Sequence, residues 1–294
     1  MTSNRRDFVR GAAVALGGAA WLLLHERLRP LAHRSAAPAD QLERVGLQLY
    51  TVRTLMQQSV ERTLQQVAEV GYREVEFAGY FGRSPAALSA TMRQHGLSAP
   101  SAHVGIADIR GNDWAKMVEV AEQLGHRWLV CAWIPDSDRK SADAYKAVGD
   151  SLVAAAEVAT KAGISVGYHN HDFELAPLGT SCGLDVLLEH TKGTGIAFEM
   201  DLYWLIKAGG DPLAYLDRWP GRFPLVHVKD SMGPPAHQRV DVGKGRIDFA
   251  KIFAKIFAQR TRASTQHFYV EHDQPADPLQ SITASAAYLR TLNF

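Results

Sequence analysis

Residues 164–174 read Ile164-Ser165-Val166-Gly167-Tyr168-His169-Asn170-His171-Asp172-Phe173-Glu174. A largely apolar run ends at Tyr168, and polar or ionisable residues follow, broken only by Phe173. This pattern predicts a buried strand that opens into a site. Strand alternation puts His169 and His171 on one face and Asn170 on the other. Two imidazoles on one face at a strand end can bind a metal or act as an acid/base pair. A pair of hydrogen-bonded structural histidines is the plainer alternative. How other strands end bears on that choice.

Working outward, apolar strands alternate with helix-period segments from residue 45 to the end. Strands are predicted at 45–50, 74–77, 98–103, 128–132, 164–169, 196–200, 223–228 and 268–270. Helices are predicted at 59–70, 85–95, 113–124, 141–162, 183–190, 204–208, 212–217, 248–257 and 278–292, several stopped by glycine. That succession predicts an α/β chain folded as a single (β/α)8 TIM barrel over residues 41–294. A doubly wound open sheet would place a glycine-rich phosphate loop after an early strand. Gly243-Lys244-Gly245 comes late and follows no strand directly.

At 294 residues, with 46% hydrophobic and 21% charged residues, the chain can bury a sizeable core. A net charge of +1, spread without basic blocks, gives no case for nucleic-acid binding. Cys131 and Cys182 lie beside apolar residues and read as packed thiols. Residues 1–40 read as a leader and linker. Arg5-Arg6 precedes an apolar, Ala/Gly-rich run at 11–24, short for a membrane span, and a Pro/Ala/Ser-rich stretch at 30–40. This resembles a bacterial twin-arginine export signal, which implies the twin-arginine export machinery as a partner and a periplasmic location. An uncleaved anchor or a chance basic start is the alternative.

In a barrel the carboxyl ends of the strands converge on one mouth. Reading those ends in order gives Glu76, His103, His169 with His171, Asp201, His227 with Lys229, and Glu271 with His272. His169, Asp201, His227 and Glu271 form an oxygen/nitrogen set suited to a divalent ion such as Mn²⁺, Co²⁺, Mg²⁺ or Zn²⁺. Each has a plainer reading alone: Asp201 as a helix cap, His227 as a core histidine, Glu271 as a partner of Lys229 or Arg246. Glu76 can be a solvated strand end and His103 a backbone-bonded loop residue. Trp133 and Trp204 can wall a pocket for a sugar face, though tryptophan more often packs a core.

The sequence resembles the xylose isomerase-like family of sugar phosphate isomerases and epimerases, especially exported bacterial members. The resemblance runs over residues 45–294. It is carried by Gly46-Leu47-Gln48-Leu49-Tyr50-Thr51-Val52-Arg53, Glu74-Val75-Glu76-Phe77, Tyr168-His169-Asn170-His171, Met200-Asp201-Leu202-Tyr203-Trp204, His227-Val228-Lys229-Asp230, Val242-Gly243-Lys244-Gly245-Arg246-Ile247-Asp248-Phe249 and Val270-Glu271-His272-Asp273. The family's metal set is Glu, Asp, His and Glu, of which Asp201, His227 and Glu271 match. His169 stands where many family isomerases and epimerases have a glutamate, which weighs against simple ketose epimerisation. His169-x-His171 and Lys229 look more like the inosose dehydratase branch. Trp204 stands where family epimerases often have a histidine.

The resemblance implies a metal-dependent isomerase or epimerase acting on a sugar, keto-sugar or cyclitol. Its reaction would be proton abstraction next to a carbonyl via an enediolate. Glu271, Lys229 and His171 are the candidate acid/base groups; Glu76, His103, Trp133, Trp204 and Arg246 are the candidate substrate contacts. A lyase or dehydratase on a keto-sugar or inosose is the close alternative. A non-catalytic periplasmic sugar-binding barrel and a metal-dependent endonuclease are more distant ones. Substrate, metal identity and oligomeric state stay open.

Overall fold

A computed structural model describes residues 40–42, 44–259 and 267–294. The expected leader, up to residue 39, and its apolar run lie outside the described residues. Among the described residues, no helix is long and apolar enough to cross a membrane. Asp40 exchanges both backbone hydrogen bonds with Phe294 (2.8 and 3.0 Å), tying the start of the described chain to its end.

Parallel strands close into a barrel: β1 Gly46–Gln48, β2 Glu74–Phe77, β3 Ser98–Gly105, β4 Trp128–Trp133, β5 Ser165–His169, β6 Ala197–Asp201, β7 Leu225–Val228 and β8 His267–Val270. Each strand pairs with its neighbours in sequence, and β1 closes the ring against β8. This is the (β/α)8 TIM barrel expected from the sequence.

Outward-facing strand residues such as Val75, Phe77, Val166, Tyr168, Phe198 and Met200 are buried against the helices. The helix Val60–Val70 shows how local sequence sets that layer. It buries Val60, Thr63, Leu64 and Val67 along one stripe. Ser59 Oγ caps it by accepting from Arg62 N at 3.3 Å, and Gly71, at φ 106°, ends it where a side chain would be strained. Each fully buried aliphatic side chain contributes about 1.5–3 kcal/mol, so this shell carries most of the stability. Inside the barrel, Val130, Leu225 and Tyr269 form a small separate apolar floor.

The structure differs from the sequence reading in connecting segments. The helix expected over 141–162 is Ala142–Ala159, followed by a tighter 3₁₀ turn, Thr160–Ala162, before Gly163. A short helix, Ile106–Arg110, follows β3 directly, with Gly105 N donating to Asp108 Oδ2 at 2.9 Å. The sequence reading placed no element between 103 and 113. Two small antiparallel ladders, Pro177–Leu178 with Ser181–Cys182 and Asp230–Ser231 with Arg239–Val240, were also not anticipated. Both cysteines are free thiols.

Candidate functional site

Strand register stacks the interior polar residues. Gln48 pairs with Glu76, Glu76 with Ser101, His169 with Glu199, and Asp201 with His227. Since alternate strand residues share a face, Glu199 and Asp201 both point inward, as do His227 and Lys229. The result is two polar layers above the apolar floor.

The lower layer centres on two buried carboxylates, Glu76 and Glu199, of which Glu199 leaves Oε1 without a partner. Glu76 accepts from Gln48 Nε2 (2.7 Å), Ser101 Oγ (2.5 Å) and His227 Nε2 (2.7 Å). Glu199 Oε2 lies 2.7 Å from His103 Nε2, 3.0 Å from His169 Nδ1 and 3.0 Å from His227 Nε2. Burial, with the nearby Glu199, raises the carboxyl of Glu76. Burial also opposes the charge on Glu199, but His227 and His103 outweigh it and hold that carboxyl well below its usual range.

The upper layer faces a cavity of about 300 Å³ at the carboxyl ends of the strands, lined by Tyr50, Trp133, His171, Lys229, Glu271 and Asp273 among others. Lys229 Nζ sits 2.9 Å from Asp201 Oδ2, 2.9 Å from Glu271 Oε2 and 3.2 Å from Asp273 Oδ1. Burial works against its charge, but these carboxylates prevail and raise its pKa well above the ordinary lysine value. Glu271 is likewise kept ionised against burial, by Lys229 and by His227 Nδ1 at 2.7 Å. Burial pushes Asp201 up to about 6 despite Lys229 and His227. Burial, then the charge of Lys229, push His171 down to about 3, so its imidazole is neutral, with Nδ1 buried and unpartnered.

Asp201 reconciles its two sequence readings. Its Oδ1 accepts from Trp204 N at 2.8 Å and caps the helix Leu202–Lys207, while Oδ2 faces Lys229. Asn170 Oδ1 accepts from Asp201 N at 3.0 Å and fixes that backbone.

The structure brings His169, Asp201, His227, Glu271, Lys229 and His171 together, with His103 on the cavity wall. Trp133 is half exposed at the rim, where Arg139 lies over its ring. Trp204 packs near His171, with ring centroids 5.5 Å apart. Two candidate substrate contacts are corrected. Glu76 is wholly buried in the lower layer and does not line the cavity, because Ala78, two residues further along the chain, takes the place at the mouth. Arg246 is exposed and lines a separate groove with Gly233 and Ile247. Asp230 is the cause: its Oδ2 accepts from Gly243 N and Gly245 N, both at 2.9 Å, and turns the loop away. A Cβ at Gly245 would collide with that carboxylate.

Glu199, Asp273 and Tyr50 were missed. The signal for Glu199 was the same two-residue period that exposed His169 and His171, applied backward from Asp201. Asp273 follows Glu271 by the same step. A larger cavity of about 630 Å³, between helices near the start of β3, has Arg93 as its one ionisable lining residue and offers no comparable chemistry.

The upper layer suits a divalent ion. Metal–ligand bonds of about 2.0–2.2 Å place donor atoms roughly 3 Å apart. His169 Nε2 and His227 Nδ1 lie 3.8 and 3.9 Å from Asp201 Oδ2, and His227 Nδ1 lies 2.7 Å from Glu271 Oε2. The donors are thus buried, mixed nitrogen and oxygen, and spaced around the required distance. The Lys229 ammonium between Asp201 and Glu271 marks the same place as favourable to positive charge.

Comparison with known proteins places this geometry in a family. The model of the xylose isomerase-like TIM barrel family matches residues 64–292. An inosose dehydratase from Geobacillus kaustophilus is 24% identical over 233 residues, 67% of this chain and 75% of that protein. A sugar phosphate isomerase/epimerase from Parabacteroides distasonis superposes with a TM-score of 0.74 at 24% identity, over 85% of this chain and 98% of that one. The IOLI protein, solved with a bound zinc atom, superposes with a TM-score of 0.67 at 15% identity, over 85% and 99% of the two chains. With its eight-stranded barrel and a match spanning most of its length, the chain belongs to the xylose isomerase-like TIM barrel family.

Proposed function

We propose that this chain is a divalent-metal-dependent enzyme that removes a proton next to a carbonyl on a sugar, keto-sugar or cyclitol. The observation that carries this reading is the buried Asp201–Lys229–Glu271 array opening into the cavity, with His169 and His227 alongside. His169, Asp201, His227 and Glu271 would hold the ion, which supplies Lewis-acid polarisation of the carbonyl.

The chain's own groups divide the remaining work. Glu271, ionised and on the cavity wall, is placed to accept the proton. Lys229, charged and 2.9 Å from it, stabilises negative charge developing on a substrate oxygen and can return a proton to a departing one. His171, neutral and weakly basic, suits orienting a hydroxyl through its unpartnered Nδ1 better than storing a proton. Trp133 and Tyr50, half exposed at the rim, offer faces to the apolar side of a sugar ring.

Elimination of water or a glycosyl oxygen is the outcome this arrangement favours. Glu271 and Asp273 are the acids lining the cavity, and both come from the end of β8. The similarity to an inosose dehydratase supports the same outcome. Isomerisation or epimerisation is the second reading, favoured by His171 past the end of β5, on a different connection from Glu271 past the end of β8, where it could serve the other face of the substrate. Among the described residues no arginine lines the cavity, and the one lysine that does is paired with carboxylates, so the site suits an unphosphorylated substrate. An exported, periplasmic setting, if residues 1–40 act as a leader, agrees with that.

The test is to incubate metal-loaded protein with keto-sugars and inososes in D₂O and follow the products by NMR. Deuterium uptake next to the carbonyl, with or without loss of water, is expected. Binding without exchange for any of them would point instead to a sugar-binding barrel.

A further inference from the structure

Glu199 lies within hydrogen-bond distance of both His169 and His227. It projects from the middle of β6, between His169 on β5 and His227 on β7, and its Oε2 meets both rings from below. His169 turns Nδ1 to Glu199 (3.0 Å) and Nε2 toward Asp201 (3.8 Å). His227 turns Nε2 to Glu199 (3.0 Å) and to Glu76 (2.7 Å), and Nδ1 toward Glu271 (2.7 Å) and Asp201 (3.9 Å). The two rings therefore present opposite nitrogens to the same carboxylate and opposite nitrogens to the upper layer. Both side chains are at most 2% exposed, so no solvent competes for these contacts.

An ionised carboxylate only accepts hydrogen bonds. The imidazole nitrogen facing it must carry the proton, which leaves the other nitrogen with a lone pair for a ligand. We infer that Glu199 is a positioning residue that fixes the tautomer and orientation of His169, so that His169 serves through Nε2; at His227, whose two nitrogens both face carboxylates, it fixes the orientation of the ring. His103 Nε2, 2.7 Å from the same oxygen, braces the carboxylate from the β3 side. Asp201, two residues on, reaches the site itself, so one strand supplies both a ligand candidate and the support behind two others. This inference rests on the metal reading above for its consequence, but the tautomer of His169 can be measured without a metal.

Two measurements test it. The first is ¹⁵N NMR of histidine-labelled, metal-free protein, with His169 assigned by comparison with His169→Gln. Glu199 as described requires a proton on His169 Nδ1 and a bare Nε2; a proton on Nε2 with bare Nδ1 would overturn the inference. The second is Zn²⁺ or Co²⁺ affinity by chelator competition for the wild type and Glu199→Gln, each checked for folding by circular dichroism. The variant is expected to bind about 10- to 100-fold more weakly, with a shifted Co²⁺ absorption band, and affinity within about threefold of wild type would count against the positioning role. Should the wild type bind neither metal, the metal reading fails while the NMR result still decides Glu199. Should Glu199→Gln not fold, the wild-type tautomer again decides.

Discussion

The two polar layers of the barrel interior contain similar residues and differ in what they can do. In the lower layer, Glu76 is satisfied by Gln48, Ser101 and His227, and has no exposure. In the upper layer, Lys229, Glu271 and Asp273 border open space, and Asp201 is buried behind Lys229. The comparison teaches that buried charge alone does not mark a reactive site. Hydrogen bonds that are complete among protein groups make a support, and charges balanced beside a cavity make a place for a ligand.

The sharpest way to break that comparison is Lys229→Met. It leaves Asp201 and Glu271 buried without their cation, and removing one partner of such a pair costs about 3–5 kcal/mol. Urea unfolding in chelator should show that loss, and added Mn²⁺ or Zn²⁺ should restore much of it. A loss that metal leaves unchanged would mean the upper layer does not receive an ion.

Glu174 extends the test to a carboxyl outside both layers. It accepts from Tyr168 Oη and His171 N, both at 2.7 Å, and burial lifts it from the ordinary 4.5 to about 7. Between those values the folded protein keeps a proton that the unfolded chain has released. Stability should therefore fall as pH rises through that window and level off above it, by about 3 kcal/mol in all, at roughly 1.4 kcal/mol per pH unit. Comparing denaturation midpoints of wild type and Glu174→Gln at pH 5 and pH 8 checks this: the variant should lack that part of the slope.

Glu76→Gln sharpens the comparison from the lower side. The amide keeps the shape but offers one acceptor oxygen to several donors, and about 1–3 kcal/mol should be lost. Unlike the loss at Lys229, this one should respond little to metal in the same unfolding experiment. Smallest of all, Arg246→Ala should change stability by no more than about 0.5 kcal/mol and leave turnover intact, since the side chain is exposed in another groove. A tenfold fall in turnover would return Arg246 to the site.

The barrel was legible because strand and helix periods alternate cleanly, with glycines such as Gly71 and Gly163 closing helices where the sequence suggested. His169, Asp201, His227 and Glu271 were legible as a cluster because each ends an apolar run, and parallel strands bring such ends together. Glu199 was hidden inside its run, where a lone charge reads as an irregularity until β6 is known to face the barrel interior there. Glu76 was placed too high because the residue that reaches the mouth from β2 is Ala78, two positions on, which carries no ionisable group to mark it. Arg246 was not legible as lying outside the site because the path of its loop is set by a carboxylate distant in sequence, Asp230.

The most direct measurement is the metal content of the purified protein beside a His169→Ala/Asp201→Ala double variant, after incubation with Mn²⁺, Co²⁺ or Zn²⁺ and removal of excess. The account predicts close to one ion per chain in the wild type and almost none in the folded variant. No ion in the wild type, or the same content in both, would contradict a metal centre built on these residues.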